Sequence, residues 1–341
     1  MAALTKGVFV VAAKRTPFGT YGGKLMKKSI TDLQEVANKA AIAASGLKPD
    51  QIDSVVIGNS SSSDGAFMPR HAALRAGIPI DRPAFAVNRL CGSGFQSVVS
   101  GAQNILVGDS KVVLTGGAEN MSQSPFVARD IRFGTTLGTN YQLEDSLWLG
   151  LFDSHCKTPM AVTAENLAEQ YKIPREEEEM APVNVKIKGK EQAMDVDEHP
   201  RPQSTLEGMG KLPALFKKNG VVSAGYSVVG VEPTIMGIGP APAIQLLLKK
   251  SGLQLNEIDL VEINEAFSAQ TLACQKELKL DMDKLNVNGG AIALGHPVGA
   301  SGARITAHLV HELRRRKAKY GIGSACIGGG QGIAVLLESI H

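Results

Sequence analysis

Two cysteines far apart in the chain, each followed at once by glycine-rich backbone, are the residues best suited to chemistry. Cys91 lies in Cys91-Gly92-Ser93-Gly94 and Cys326 in Cys326-Ile327-Gly328-Gly329-Gly330, with Gly295-His296-Pro297 and Asn264-Glu265-Ala266-Phe267 between them. A thiol becomes a nucleophile when a base takes its proton and backbone N–H groups hold the oxyanion it creates, and glycine lets backbone approach a substrate closely. Two thiols, one imidazole and one amide in such settings are suited to acyl transfer on a thioester. Cys91 is the candidate nucleophile, His296 the base that takes its proton, and Cys326 a second acid/base beside the N–H groups of Gly328 to Gly330. Each residue also has an ordinary reading. A lone cysteine is usually a buried, inert apolar group and a lone histidine is usually structural. Asn264, which follows an apolar run, serves equally well as a strand-end turn residue or as the holder of a water or oxyanion.

The elements that must position these residues come from a duplication. Ser45-Gly46-Leu47 through Ile57 matches Ser251-Gly252-Leu253 through Ile263, 206 residues later, at seven of thirteen positions. Each copy is preceded by a helical pattern, Leu33 to Ala44 and Ala241 to Lys250, and reads as helix, glycine stop, loop and β-rich strand. An internally duplicated α/β fold follows. Downstream, Cys91 to Gly94 opens a helical stretch to about Val107 and then a strand from Lys111, while His296 to Gly302 opens a helix over 303–316 and then a strand over 320–324. Each half thus sets a reactive residue at a strand-to-helix turn, where unpaired N–H groups and the positive end of the helix dipole favour a thiolate or oxyanion. Residues 119–240, with six prolines from Pro159 to Pro213, read as an excursion covering the site, and its run Glu176 to Glu179 as a solvated helix face. The first strand of the first half is expected over Gly7 to Ala13, as a buried strand.

Composition excludes several classes. The 341 residues are 43% apolar and 20% charged, enough for a full core in one large or two ordinary domains. A net charge of +3 is too small to argue for nucleic acid. No apolar run approaches the ~18–20 residues of a membrane span. The four cysteines include no CxxC pair and make no disulfide framework, so a reducing compartment is expected. Residues 1–31 carry six basic side chains and no acidic one, the composition of a mitochondrial targeting segment, although the same stretch holds the expected first strand.

Cys91-Gly92-Ser93-Gly94, Asn264-Glu265-Ala266-Phe267, Gly295-His296-Pro297 and Cys326-Ile327-Gly328-Gly329-Gly330, in this order on a duplicated frame, resemble the thiolase family. The likeness to its mitochondrial branch extends over nearly the whole chain, through Ala12 to Gly19, Thr163 to Ala168 and Asn288 to Pro297. It implies an α/β thiolase fold: two duplicated βαβαβαββ halves in a five-layer αβαβα stack with a covering loop region. The halves are placed at 1–215, including the loop region at about 119–215, and at 216–341. It also implies thiolytic cleavage of 3-ketoacyl-CoA by free CoA. Cys91 carries the acyl group, His296 activates it, and Cys326 protonates the departing acetyl-CoA carbanion and deprotonates incoming CoA. One oxyanion is held by His296 and a water on Asn264, another by the N–H groups of Cys91 and Gly328. Arg201 and Ser204 match a CoA-contacting stretch, and Met160 is expected to line the acyl pocket. CoA is a co-substrate, with no tightly bound cofactor and no metal. A homodimer or homotetramer in the mitochondrial matrix is expected, binding neither nucleic acid nor membrane.

Two segments common in the family are missing. One falls after Arg175-Glu176. The other falls between Gly225 and Tyr226, where the family carries a loop meeting the pantetheine and then the first strand and helix of the C-terminal half. Two rival readings follow: hydrolysis of acyl-CoA through the same cysteine, and an inactive shortened chain.

Overall fold

The duplicated segments form the same structure twice, down to the hydrogen bonds. In the computed structural model, which describes residues 7–61, 66–173, 183–187, 190–194 and 221–340, helix α1 (Ile30–Ser45) starts at a capping box. Ser29 Oγ accepts from Asp32 N at 3.0 Å and the Asp32 carboxylate accepts from Ser29 N. The helix stops at Gly46, whose φ of 71° suits a residue without Cβ, and the counterpart helix stops at Gly252, with φ 74°. A single 3-10 turn follows in each copy. Asp53 then accepts from the backbone N–H groups of Lys111 and Val112, and Asp259 from those of Lys319 and Tyr320, all at 2.8–3.0 Å. The two from Lys111 and Val112 hold the Asp53 carboxyl below its ordinary range, and all four tie each repeated strand to the start of the strand beside it.

The first half continues from β1 (Phe9–Val10) and α1 through β2 (Ser54–Gly58), α2 (Met68–Arg75), β3 (Ala84–Val87), α3 (Ser93–Leu106) and β4 (Val113–Gly117). Beyond several short hairpins comes α4 (Met160–Tyr171). The second half is β5 (Val221–Gly230), α5 (Pro240–Ser251), β6 (Leu260–Ile263), α6 (Ser268–Leu278), α7 (Ser301–Arg316), β7 (Tyr320–Ile327) and β8 (Gln331–Ser339). One sheet is parallel, in the order β3-β2-β4. The other has five strands in the order β1-β5-β8-β7-β6, with β6 and β7 parallel and β8 antiparallel to both β7 and β5.

Helices α3 and α7 form the middle layer between the sheets, with α1 and α2 outside the first and α5 and α6 outside the second, so five layers stack as αβαβα. Strand β8 shows why the layers hold. Ile333, Val335 and Leu337 pack inward on Ile305, Leu309 and Leu313 of α7, while Ala334 and Leu336 face Ile244 and Leu247 of α5. Burying both faces explains its continuous apolar run. In the covering region, α4 packs Leu167 and Ala168 onto Ala269 and Ala273 of α6.

The first strand departs from expectation. Only Phe9 and Val10 pair, with Val222 and Val221, and they add to the edge of the second sheet. Phe9 and Val11 are 53% and 54% exposed, so this segment is not a buried strand of the first half. Strand β5 carries a bulge between Ser223 and Gly225, next to the point where the second missing segment would enter.

Candidate active site

The site is built where the middle helices cross. Ser93-Gly94 opens α3 and Ser301-Gly302 opens α7, and the two glycines sit at the contact: a Cβ on Gly94 would enter the backbone of Gly302 and Ala303, and one on Gly302 would enter Phe95 N. Each helix therefore lies on the other's first turn, bringing the two reactive loops to one place.

Cys91 enters α3 from a tight turn. Leu90 holds φ 46°, a left-handed conformation unusual for a bulky side chain and costing of order 1–3 kcal/mol. The turn is fixed by its own polar groups. Leu90 N donates to Asn88 Oδ1 at 2.9 Å, Arg89 N to Ser93 Oγ at 2.9 Å, and Ser93 Oγ–H to Leu90 O at 2.6 Å. Gly92 leaves room for Ile327, whose Cδ1 would be 2.6 Å from a Cβ there. Part of Cys91 reaches the surface, yet enough protein surrounds the thiol that burial pushes it up to about 11. Backbone N–H groups of Gly328 and of Cys91 itself bond the sulfur and oppose this, while the nearby Glu119 carboxylate adds to it.

Cys326 is fully buried, and its thiol is raised well above the ordinary range, mainly by burial and then by the proximity of Cys91. It is the penultimate residue of β7, paired with Gly332, just before the Gly328-Gly329-Gly330 turn, in which Gly329 and Gly330 take φ of 77° and 81°. That turn lays Gly328 N against Cys91. Met160 borders the same spot, its sulfur 3.4 Å from where a Gly328 Cβ would be.

His296 comes from the loop before α7. Its Nδ1 lies 2.6 Å from Ser301 Oγ, which donates to Pro297 O at 3.3 Å, so Nδ1–H donates to Ser301 and Nε2 keeps its lone pair. Asn264, fully buried after β6, sets its Nδ2 at 3.3 Å and 3.4 Å from the two ring nitrogens, while its Oδ1 finds no protein partner. Burial, with a smaller push from the Arg304 guanidinium, lowers the His296 pKa to about 4, although an edge of the residue is solvent-accessible.

Glu119, at the end of β4, accepts from Asn59 Nδ2, from the N–H and Oγ–H groups of Ser60 and Ser61, and from Gly299 N at 2.8 Å. It fastens the loop after β2 to the loop carrying His296. Glu265 does similar work, accepting from Asn286 Nδ2 at 2.8 Å and Ile292 N at 2.9 Å. The motifs did not single out Glu119 or Ser301. Ser301 could have been found from the Ser-Gly pair repeated at 93–94 and 301–302.

The structure thus groups Cys91, Cys326, Gly328 and Met160 at one turn, and pairs His296, on the loop that leads into the helix crossing α3, with Asn264. Arg201 and Ser204 lie outside the described residues. Among the described residues no cluster of three His, Cys, Asp or Glu side chains could hold a metal ion, and no helix is long and apolar enough to cross a membrane.

The family model for the thiolase N-terminal domain matches residues 8–179 and 177–229, and that for the thiolase C-terminal domain matches 218–339. The chain belongs to the thiolase family. Among curated thiolases, "3-ketoacyl-CoA thiolase, mitochondrial" of Homo sapiens is 53% identical over 394 residues, covering 99% of each chain. "Acetyl-CoA acetyltransferase" of Pseudomonas aeruginosa is 38% identical, covering 97% of this chain and 98% of the other. The crystal structure of the human mitochondrial 3-ketoacyl-CoA thiolase superposes with a TM-score of 0.86 at 52% identity, covering 99% of this chain and all of that one. The same thiolase in complex with CoA superposes at 0.84 with 51% identity, covering 98% of both chains. The alignment to the human thiolase runs to 394 residues against a chain of 341, so that relative carries internal segments this thiolase lacks.

Proposed function

We propose that the protein is a mitochondrial 3-ketoacyl-CoA thiolase, an acyltransferase that cleaves 3-ketoacyl-CoA with free CoA in fatty acid β-oxidation. The observation that carries the reading is the meeting, at one helix crossing, of Cys91 with Gly328 N–H on its sulfur, Cys326 at the adjoining turn, and the His296–Asn264 pair from the other loop. Cys91 Sγ attacks the 3-keto carbon as His296 Nε2 takes its proton. The C2–C3 bond then breaks, leaving the shortened acyl group on Cys91, and the departing acetyl-CoA carbanion takes the Cys326 proton. The Cys326 thiolate deprotonates incoming CoA, whose sulfur attacks the acyl-Cys91 thioester; Cys91 leaves and recovers its proton from His296. Products are acetyl-CoA and an acyl-CoA shorter by two carbons.

The N–H groups of Cys91 and Gly328, which bond the thiol in the free site, are suited to one oxyanion. The unpartnered Oδ1 of Asn264 fits a held water that serves the other with His296. Met160, near Gly328, is suited to the acyl pocket. Arg201 and Ser204 are assigned to CoA by the family likeness alone. CoA is the co-substrate, in keeping with the CoA complex of the human relative. Exposed Phe133, Leu137, Leu143 and Trp148 in the covering region support a homo-oligomer. The chain divides into halves at 1–215 and 216–341.

Rapid mixing of the chain with 3-ketoacyl-CoA and CoA tests the reading. A burst of acetyl-CoA with acyl-Cys91 accumulation is expected and is lost in Cys91→Ala; an undiminished burst in that variant overturns the assignment. Turnover unaffected by omitting CoA would indicate a hydrolase instead. The missing segments favour a second reading, an inactive shortened chain, which tight CoA binding without turnover would establish.

A further inference from the structure

The second sheet describes what the first one lacks. Asp53 and Asp259 sit at equivalent positions, and the pairing Ser54↔Val113 repeats Leu260↔Gly321, so β4 is the counterpart of β7. On its far side β7 carries β8, and β8 carries β5. On its far side β4 carries no strand among the described residues. The counterparts differ accordingly: every residue from Val113 to Gly117 is only half-buried, whereas Gly321 to Ile327 are all buried.

A cavity of about 1210 Å³ lies along that open edge. Its floor is the whole run from Val112 to Glu119. Its walls are apolar, from Leu33, Ala37 and Ala41 of α1 and from Val98, Ala102 and Ile105 of α3, and the Val8 to Ala13 segment lines it as well. Two lining side chains are polar, buried and half-satisfied. Gln34 Nε2 donates to Asn38 Oδ1 at 2.7 Å, leaving Gln34 Oε1 and Asn38 Nδ2 with no partner. One orphaned acceptor and one orphaned donor, beside a strand edge that has no ladder partner among the described residues, match the needs of a peptide bond.

We propose that this cavity is an acceptor slot for one extended apolar peptide strand, bound antiparallel to β4 by strand addition. Duplication fixes its register. Leu337, Leu336, Val335, Ala334 and Ile333 oppose Gly321 to Ala325 in the second sheet, so a segment of the Ile-Ala-Val-Leu-Leu type opposes Val113 to Gly117 in reverse order. Both faces of such a strand would be covered, by α1 and α3, so it carries no charge over those five positions. The occupant is a segment of a separate polypeptide with this apolar pattern, the counterpart of β8, which fills the equivalent place in the second sheet. The slot reaches His296 and Glu119 but neither Cys91 nor Cys326, so it is a site apart from the thiols.

The test uses the full chain and a synthetic peptide with the sequence of Gln331–Ser339, extended by lysines for solubility. At about a hundredfold excess over Kd, the melting temperature should rise by about 5 °C, and amide exchange at Val113 to Gly117 should slow at least tenfold. A peptide with proline in place of the residue matching Val335 should produce neither effect, since proline cannot complete the ladder. Ala37→Trp, which fills the slot from its wall, should abolish peptide binding while leaving the chain folded by circular dichroism. Binding without protection of Val113 to Gly117, or no binding at millimolar peptide, overturns the proposal. Protection of those amides in the chain alone that rises with protein concentration overturns it in favour of a strand from a second copy.

Discussion

At the residue scale, burial sets both partners of the proposed proton transfer in their neutral forms. His296 is held near 4 and the Cys91 thiol near 11, so the free site at neutral pH holds imidazole and thiol rather than an ion pair. His296 must be neutral to act as base. Activity is therefore kept as pH falls through the ordinary histidine range and lost only near 4; a kcat/KM profile with its acid limb near 6.5 would overturn this. Glu119 acts through others. Its six contacts are all donors, so Glu119→Gln sets an amide N–H against N–H or O–H groups, costing about 1–3 kcal/mol in stability. The same change removes a negative charge that raises the Cys91 thiol. The expected result is a lower melting temperature and kcat at near-constant KM, with faster iodoacetamide labelling of Cys91 at pH 8; unchanged labelling would make Glu119 purely structural. Cys91, His296, Cys326 and Asn264 were readable in the sequence because each stands in a local glycine or turn setting that its chemistry needs. Glu119 was not, because its six donors come from two segments far from it in sequence, Asn59 to Ser61 and Gly299.

At the element scale, the helix crossing carries the site. Gly302→Ala drives a methyl group into Phe95 N, which forces α3 and α7 apart and costs about 1–3 kcal/mol. Activity should fall by more than the loss of folded protein explains, because Cys91 rides on one helix and His296 on the other. Comparing active-site titration with the folded fraction checks this; proportional losses would refute it. Helices and central strands were legible because their signals are local: the Ser29 cap, the Gly46 and Gly252 stops, and the repeated Ile-Asp before each strand. The first strand was not. Its apolar run reads as a core strand, but β4 carries no further strand on its far side among the described residues, and Phe9 and Val10 pair with β5 instead.

At the scale of the whole molecule, the two halves are unequally filled. In the second sheet β6, β7 and β8 are buried on both faces, with β5 and β1 continuing beyond β8, while the first ends at a cavity of about 1210 Å³. Internal space lost on unfolding makes the unfolded state smaller in volume, so this chain should be pressure-sensitive. High-pressure NMR should show an unfolding volume at or beyond the large end of the ~20–100 mL/mol magnitudes found for globular proteins, with first-sheet signals lost at the lowest pressures. Uniform loss from both halves would contradict it. The duplication, legible from seven matched residues, foretold two halves of one design; only the fold shows that the first sheet, among the described residues, stops at β4.

The contact between Gly94 and Gly302 also limits how this sequence can drift. The nearest atom facing each glycine is a backbone nitrogen of the other helix, Ala303 N for Gly94 and Phe95 N for Gly302, and every amino acid carries that atom; trimming the Phe95 ring, which also crowds Gly302, would leave it in place. A second substitution therefore cannot clear the way for the first. Pairs of compensating changes that let packed cores wander through sequence space are closed here, so the two halves are bound to a joint residue choice.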